Sequence, residues 1–212
     1  MKKLIGIFGT SGMAREAGDI ACEIGYTPLY IARDQIELDA WAFPAEAIIE
    51  TEVPRYDDIP FVIGIGENAI RQKLAQRYAN KISFLSLIHP SATFGRGQRK
   101  AAEERQGVIV CAGARFTNNI QIGNFCIFNQ NATIAHDVVV EDFVHVAPGS
   151  VISGNVHIGL RSWIGAGAVI NQGTESMKLS IGADTVIGSG AVVLKNCEAN
   201  SVYAGVPARR IK

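Results

Sequence analysis

The sequence is poor in cysteine, carries no net charge and contains no long apolar run. Its four cysteines are scattered without CxxC spacing, which argues against a disulfide scaffold and against a structural zinc site. No stretch approaches the roughly 18 consecutive apolar residues of a membrane span. We therefore expect a protein of the reducing cytoplasm that uses no metal and binds no membrane.

Charge and the N-terminus exclude two further classes of protein. Twenty basic residues balance twenty acidic ones, so a nucleic-acid-binding face is not indicated. Two lysines and a short apolar run open the chain, but Gly9, Ser11 and Gly12 interrupt this run before it reaches the length of a signal peptide. The 212 residues, 48% of them hydrophobic, suffice for one large domain or two small ones.

The first part of the chain alternates strand-like and helix-like segments. The predicted elements are a strand at Lys3–Phe8, a helix at Met13–Ile24, strands at Leu29–Ala32 and Phe61–Ile65, and a helix at Ala69–Ala79. The last helix carries Arg71, Lys73 and Arg77 and is predicted to be amphipathic. Strands that alternate with helices predict a small parallel sheet, so we interpret residues 1–85 as a Rossmann-like α/β nucleotide-binding domain.

From about residue 88 an apolar residue recurs at every sixth position. Eleven positions keep this phase: Val110, Phe116, Ile122, Phe128, Ile134, Val140, Val146, Ile152, Ile158, Ile164 and Ile170. A period of six fits neither a helix, with its period near 3.6, nor a strand, with its period of 2. It fits a chain that turns a corner every six residues, and glycines such as Gly123 and Gly159 are expected to supply positive φ at tight corners.

The repeat breaks twice. Ile170 and Ile181 are 11 positions apart, so the segment NQGTESMKLS is predicted to contain an insertion of about five residues that leaves the coil. A similar break between Phe94 and Val110 predicts a second excursion for the charged segment RGQRKAAEERQG. We interpret residues 86–212 as one coiled domain with a short C-terminal tail.

These repeated units resemble the hexapeptide repeat of the left-handed β-helix acyltransferases. In that family three hexapeptides form one triangular coil, and the inward aliphatic side chains stack into a core. The C-terminal segment Ala204–Arg210 also resembles the GxPAK/R ending common in these enzymes. The resemblance implies a left-handed parallel β-helix over residues 86–212, acetyl-CoA as the donor, and a homotrimer with active sites between subunits.

Three further motifs narrow the resemblance. They are GTSGMARE at residues 9–16, GIGENAIR at residues 64–71 and IHPSA at residues 88–92. The whole chain is similar to the PglD/NeuD-type sugar acyltransferases, in whose PglD-type members the N-terminal domain binds the UDP part of a UDP-4-amino-4,6-dideoxy sugar. The resemblance implies a UDP-4-amino sugar as the substrate and a product of the UDP-N,N'-diacetylbacillosamine type for surface glycan or glycoprotein synthesis.

A glycine-rich turn is the candidate nucleotide site. The residues Gly9-Thr10-Ser11-Gly12 follow a strand and precede a helix, where backbone N–H groups can approach an anionic phosphate. Asp34 lies about 20 residues onward, where an acid can bind the ribose. A purely structural turn and a dinucleotide site remain alternative interpretations. The resemblance adds Gly64, Gly66 and Asn68 to the predicted UDP-sugar-binding residues.

Transfer of an acetyl group to an amine needs a base, because an ammonium ion cannot attack a thioester. Histidine titrates nearest neutral pH, and only four histidines are present. By resemblance, His136 is the catalytic base, Asp137 is its acidic partner and Asn129 lines the same site. His145 matches a second family histidine that lies near the acetyl-CoA thioester. The two others, His89 and His157, are interpreted as structural.

The resemblance also predicts where acetyl-CoA binds. Besides His145, the matching positions are Gly154, Ala166, Ser189, Gly190 and Pro207, and the basic residues Lys195, Arg209 and Arg210 are candidates for the coenzyme phosphates.

Three alternatives compete with this interpretation. The γ-type carbonic anhydrases share the β-helix and bind zinc through three histidines, but the gaps of 9 and 12 between His136, His145 and His157 lack their close pair five residues apart. A non-catalytic scaffold or a nucleotide-sugar-binding module is the second alternative. The third is O-acetylation of sialic acid or another sugar hydroxyl, which the same base would serve.

Overall fold

Five parallel strands form the sheet of the N-terminal domain, in the order β3-β2-β1-β4-β5. The protein is described here by a computed structural model that covers residues 3–212. The elements of this domain are β1 (Lys3–Phe8), α1 (Gly12–Glu23), β2 (Tyr26–Ala32), α2 (Gln35–Asp39), β3 (Ala47–Ile49), a 3-10 helix (Glu50–Tyr56), β4 (Pro60–Ile63), α3 (Asn68–Tyr78) and β5 (Ser83–Phe84). The predicted small parallel sheet with α/β character is confirmed.

The sequence pattern predicted the long elements of this domain and missed the short ones. Strand β1 has the predicted bounds, and α1 and α3 each begin one residue earlier than expected. The elements α2, β3, β5 and the 3-10 helix were not predicted, because segments of two to seven residues contain too few positions to display a period.

The second part of the chain winds into a three-sided coil of short strands. These strands are β6 (Leu87–Ile88), β7 (Thr93–Phe94), β8 (Ile109–Val110), β9 (Arg115–Phe116), β10 (Gln121–Ile122), β11 (Ile127–Phe128), β12 (Thr133–Ile134), β13 (Val139–Val140), β14 (His145–Val146), β15 (Val151–Ile152), β16 (Val156–Ile158), β17 (Trp163–Ile164), β18 (Val169–Ile170), β19 (Leu179–Ile181), β20 (Val186–Ile187), β21 (Val192–Val193), β22 (Val202–Ala204) and β23 (Arg209–Arg210).

Three sheets form the sides of this coil. The first face has the order β23-β22-β20-β17-β14-β11-β8-β6, the second face β21-β18-β15-β12-β9-β7, and the third face β10-β13-β16-β19. All pairings are parallel except that of β22 with the terminal strand β23. The predicted left-handed parallel β-helix is confirmed.

The residues of the six-residue repeat form the core of the coil. Each of the eleven predicted positions ends a strand and is at most 5% exposed. Side chains from consecutive coils lie directly above one another, as for Phe116, Ile134 and Ile152 on the second face. The hydrophobic stack therefore runs along the axis of the coil.

Glycines do supply positive φ at some corners, as at Gly149 and Gly167, but the prediction is wrong for Gly123 and Gly159. The left-handed residues occur three positions after the inward side chain and include Asn119, Asp137 and Asn155. Gly123 is needed for another reason, since a Cβ there would lie 2.5 Å from the backbone nitrogen of Asp142 in the next coil. Gly123 and Gly159 thus permit close stacking of one coil on the next.

Both breaks in the repeat are excursions from the coil. The first carries helix α4 (Gln98–Glu103) in place of a third-face strand. The second joins Ile170 on the second face to Ile181 on the third face, which are neighbouring faces. One hexapeptide would span that step, so the 11 positions contain five inserted residues.

The N-terminal domain packs directly on the first face of the coil. Ile109, Cys111 and Ile127 project from that face into a cluster with Ile5 and other residues of the sheet and α1. Phe125 and Phe143, which stack on each other with ring centroids 5.1 Å apart, join a second cluster with the opposite side of the sheet. Within residues 3–212, no helix combines the length and apolarity needed to cross a membrane.

A matched pair of substitutions tests the inward and outward alternation. Ile152→Ala removes a fully buried side chain and should lower the free energy of unfolding by about 2–5 kcal/mol, because it leaves a cavity in the stack. Its neighbour Val151 is 38% exposed, so Val151→Ala should cost less than about 1 kcal/mol. Denaturant titration of both variants measures the difference, and equal losses would contradict the assigned register.

Candidate active site

A cleft of about 330 Å³ opens at the carboxyl ends of the parallel strands of the N-terminal domain. It lies beside the central strand β1, where the chain order reverses from β2 on one side to β4 on the other. Open α/β sheets bind ligands at such switch points. The lining residues are Phe8, Gly9, Thr10, Ser11, Ile31, Arg33, Glu37, Glu50, Ile65, Ile70, Lys73, Leu74 and Arg77.

The predicted glycine-rich turn contributes three residues to this cleft. Gly9 has φ +111°, a conformation that favours glycine, and its N–H donates to the Ile31 carbonyl at 2.9 Å. Thr10 and Ser11 follow it along the cleft wall, whereas Gly12 begins helix α1 and does not line the cleft. The side-chain hydroxyl of Thr10 donates to the carboxylate of Glu37.

The carboxylate of Asp34 is engaged outside the cleft. One oxygen accepts the N–H of Glu37 at 2.9 Å as the N-cap of helix α2, and the other accepts from Arg33 at 2.9 Å. The N–H of Glu37 and the Arg33 guanidinium hold the pKa of Asp34 below its usual range. The acids that line the cleft are Glu37 and Glu50, and Asp34 is not among the lining residues.

None of the predicted residues Gly64, Gly66 and Asn68 lines the cleft. Gly64 packs within the N-terminal domain, whereas Gly66 and Asn68 lie at the junction between the domain and the coil. A Cβ on Gly64 would lie 2.6 Å from the Cα of Ala14, so glycine allows close packing of α1. The amide of Asn68 donates to the backbone carbonyls of Arg161 at 2.7 Å and Ser162 at 3.2 Å. These contacts join the start of helix α3 to the coil.

Arg71, one turn into α3, is completely buried at this junction. Its guanidinium donates to the carbonyls of Phe125 at 2.7 Å and Phe143 at 2.8 Å in the coil. It also donates to the carbonyls of residues 65 and 66, both at 2.9 Å, and to the side chain of Asn68 at 2.7 Å. Burial lowers the pKa of Arg71 to about 10, so the guanidinium remains charged at neutral pH. This role of Arg71 was not predicted from the sequence.

His145 is buried in the same junction, with both ring nitrogens occupied. Nδ1 donates to the Gly66 carbonyl at 3.0 Å, because a carbonyl can only accept, and Nε2 accepts from the Asn129 amide at 2.7 Å. The ring packs on Trp163 with centroids 3.9 Å apart. Burial, opposed by the Gly66 hydrogen bond, lowers the pKa of His145 to about 4. His145 is therefore neutral and, within one chain, has no free ring nitrogen to present to a thioester.

His136 lies in a contrasting environment at the corner between the second and third faces. Its side chain is 56% exposed, and its Nδ1 lies 2.7 Å from the carboxylate of Asp137. Hydrogen bonds from His136 and then Asn119 hold the pKa of the Asp137 carboxyl below its usual range. The ionised carboxylate accepts the proton of Nδ1 and leaves the lone pair of Nε2 free. This tautomer is the one that a general base requires.

Gly154 makes room for the imidazole of His136. It lies one coil further along the same corner, and a Cβ there would be 2.6 Å from Nε2. The structure therefore brings together His136, Asp137 and Gly154, while Asn129 and His145 form a separate group on the first face.

The other predicted acetyl-CoA contacts follow a different corner. Ala166, Ser189 and Gly190 lie in turns between the first and second faces, where the N–H of Gly190 donates to the Ala166 carbonyl at 2.8 Å. Pro207 is exposed beside a hollow of about 440 Å³ that Lys195, Arg209 and Arg210 also line. One chain thus carries the base and most of the predicted coenzyme contacts on two different corners.

Comparisons with known proteins identify the family of the chain. The family model described as PglD N-terminal domain matches residues 4–78. GDP-perosamine N-acetyltransferase from Escherichia coli O157:H7 is 33% identical over 153 residues, which are 72% of this chain and 67% of that protein. The chain belongs to the sugar acyltransferases of the hexapeptide-repeat family.

Two further relatives bear on the chemistry of this acyltransferase. The crystal structure of PerB from Caulobacter crescentus in complex with CoA and GDP-perosamine has a TM-score of 0.84 at 28% identity, covering 98% of this chain and 97% of PerB. Galactoside O-acetyltransferase from Escherichia coli K12 is 35% identical over 117 residues, which are 46% of this chain and 55% of that enzyme. The predicted family and class of enzyme, a sugar acyltransferase, are confirmed.

Two thiols of this acyltransferase, those of Cys111 and Cys126, are buried in the coil. Burial raises the pKa of both Cys111 and Cys126 to about 12, so neither is an available thiolate. Over residues 3–212, no group of three or more His, Cys, Asp or Glu side chains is arranged to hold a metal ion. His157 instead pairs with Glu141 at 2.9 Å.

The lowered pKa of His145 predicts a pH dependence of stability. The folded-state pKa of about 4 lies below the ordinary 6.5, so folding favours the neutral ring. As the pH falls below about 6.5 the unfolded chain binds a proton at this residue before the folded chain does, and the free energy of unfolding decreases. Between pH 7.5 and pH 5 the acyltransferase should lose about 2 kcal/mol of unfolding free energy from this group.

The variant His145→Gln isolates that contribution, because glutamine does not titrate. Denaturant titrations at both pH values should give a smaller loss for the variant than for the wild type. Equal losses would mean that His145 is not held neutral.

Proposed function

We propose that the enzyme transfers the acetyl group of acetyl-CoA to the 4-amino group of a nucleotide-linked 4-amino-4,6-dideoxy sugar, with His136 as the general base. The observation that carries this proposal is the His136–Asp137 pair, in which Nδ1 is bound at 2.7 Å and Nε2 faces the space beside Gly154. Family membership supports acetyl-CoA as the donor, since PerB was crystallised with CoA.

The reaction proceeds by direct attack. The neutral amine adds to the thioester carbonyl as Nε2 of His136 accepts its proton, and the carbon–sulfur bond then breaks. The thiolate of CoA leaves with the electron pair and takes the proton from the imidazolium. No acyl-enzyme is needed, which agrees with the raised pKa of both buried thiols. Asp137 keeps the ring oriented and stabilises the imidazolium.

The nucleotide of the acceptor binds in the cleft of the N-terminal domain. Thr10, Ser11 and the start of α1 offer backbone N–H groups to the diphosphate, and Arg33 and Lys73 add positive charge. The match to the PglD N-terminal domain supports the expected UDP sugar and a product of the diacetylbacillosamine type. GDP-perosamine is the second candidate, because the 33% identical relative and PerB both carry that substrate in their names.

The site is completed by a second copy of the chain, as a homotrimer. His136 with Gly154 and the group of Ala166 and Gly190 lie on different corners of a triangular coil. One extended coenzyme can meet both groups when the corner of one subunit faces the other corner of its neighbour. The predicted cytoplasmic location stays a prediction.

O-Acetylation of a sugar hydroxyl is the alternative function. The similarity to galactoside O-acetyltransferase favours it, although that match spans 55% of the relative. The nucleotide cleft and the coverage of nearly all of PerB favour the N-acetyltransferase.

An acceptor panel tests the substrate class. Release of free CoA thiol from acetyl-CoA should be rapid with UDP-4-amino-4,6-dideoxy-N-acetylglucosamine or with GDP-perosamine, because both present a 4-amino group and a nucleoside diphosphate. Their 4-hydroxy analogues are the matched controls and should be poor acceptors. Turnover with free sialic acid or hydroxyl acceptors alone would classify the enzyme as an O-acetyltransferase. The absence of thiol release with any acceptor would contradict the proposal.

Substitution of the base tests the mechanism. His136→Ala should lower kcat by about 10²- to 10⁴-fold, because general-base catalysis supplies that factor. Residual activity should remain, since positioning of the two reactants contributes separately. Calorimetric binding of acetyl-CoA should be nearly unchanged. The control is His89→Ala, which removes an exposed hydrogen bond between His89 and Ser91. Both residues are distant in sequence from the proposed base, so this variant should keep its turnover. Unchanged turnover of His136→Ala would refute the assignment.

A further inference from the structure

The five-residue insertion of the coil ends at the corner that holds the proposed base. The N–H of Gly173 donates to the Gly154 carbonyl at 3.0 Å, and the N–H of Leu179 donates to the Asn155 carbonyl at 3.0 Å. Asn155 in turn donates its N–H to the carbonyl of His136 at 3.0 Å. The insertion therefore lies next to Gly154, which borders Nε2 of the base.

The tip of the insertion closes on itself. The backbones of Thr174 and Met177 exchange hydrogen bonds, with N–H to carbonyl distances of 2.8 and 3.3 Å. Met177 is 67% exposed. The next residue, Lys178, is only partly exposed and turns back toward the coil, where its ammonium donates to the backbone carbonyl of Asp137. The insertion thus delivers one basic side chain to the partner of the base.

The register of the coil explains why a lysine is suited to this contact. Leu179 pairs with Val156, so Lys178 stands above Asn155, which is 18 residues after Asp137. Lys178 and Asp137 are thus two layers apart, roughly 9–10 Å at the usual spacing of parallel strands. A long side chain can cross the intervening layer, whereas most shorter ones cannot.

We propose that Lys178 is a positioning residue for the His136–Asp137 pair and that the insertion serves to supply it. This inference rests on the proposed function of His136. Asp137 has φ +61°, which fixes the direction of its side chain at the corner. Asn119 holds one carboxylate oxygen, His136 the other, and Lys178 the carbonyl of the same residue. Together these contacts keep the carboxylate on Nδ1.

The charge of Lys178 acts in the same direction. Its ammonium is among the groups that lower the pKa of the Asp137 carboxyl, after the hydrogen bonds from His136 and Asn119. An ionised carboxylate is the form that accepts a proton from Nδ1. Lys178 therefore favours both the position and the ionisation that the base requires.

Kinetics of the full-length enzyme with its active acceptor test this role. Lys178→Met should lower kcat by about five- to twenty-fold with KM for both substrates unchanged within two-fold, and Lys178→Arg should regain at least half of the wild-type kcat. Lys100→Met, on the exposed surface of α4, is the matched control and should keep its kcat. The proposal would be overturned if Lys178→Met left kcat unchanged or changed KM alone. It would also be overturned if Lys178→Arg did not restore kcat, or if a lowered melting temperature accounted for the loss of activity.

A spectroscopic measurement tests the role of Lys178 independently of the proposed acetyltransferase function. Nitrogen-15 NMR of His136 at neutral pH should report the tautomer with its proton on Nδ1 in the wild type and in Lys178→Arg, and a mixture of tautomers in Lys178→Met. If no acceptor is acetylated by the wild type, the proposed function fails while this measurement still decides the role of Lys178. Identical tautomers in all three proteins would refute it.

Discussion

The stacking of one coil on the next, with 18 residues per turn, is the constraint on which the site depends. Residues 18 apart lie above one another, so Asn119 binds Asp137 and Gly154 borders His136. The inward positions must be apolar and the corner positions must accept left-handed φ, which Asn and Asp tolerate better than most residues. His136 and its neighbours therefore come from successive coils, and their spacing is fixed by the same hydrogen bonds that hold the coil together.

The N-terminal domain is joined to this coil by a buried cation, Arg71, which has no carboxylate hydrogen-bond partner among residues 3–212. Arg71 satisfies its donors with carbonyls from both parts of the chain, among them those of Phe125 and Gly66. A buried charge is tolerated only when its hydrogen bonds are satisfied, and no buried side-chain polar atom of the described residues lacks a partner. The Gly66 carbonyl also binds His145, so the contact that attaches the domain also sets the tautomer of that ring.

Two histidines nine residues apart receive opposite properties from their surroundings. His136 is exposed and held by an ionised acid, which leaves its free nitrogen available as a base. His145 is buried against Trp163, where desolvation keeps it neutral and both nitrogens are bound. The same residue type is thus exposed with one free ring nitrogen at a corner of the coil, and buried with both ring nitrogens bound on the first face. The sequence shows only a histidine at each position, and the structural environment alone distinguishes the properties of the two side chains.

The sequence by itself determined the architecture, because the six-residue period decides which side chain of each strand points inward. It also located both insertions and the family, through motifs that are contiguous in the chain. Tertiary structure alone decided which acids line the cleft of the N-terminal domain, Glu37 and Glu50 and not the expected Asp34. It also decided the burial of Arg71, which directly follows the exposed Ile70. It also decided the contact of Lys178 with Asp137, 41 residues earlier. These features depend on which residues come into contact across layers and domains. A local sequence pattern indicates the period of the chain, but it does not indicate which residues distant in sequence contact each other.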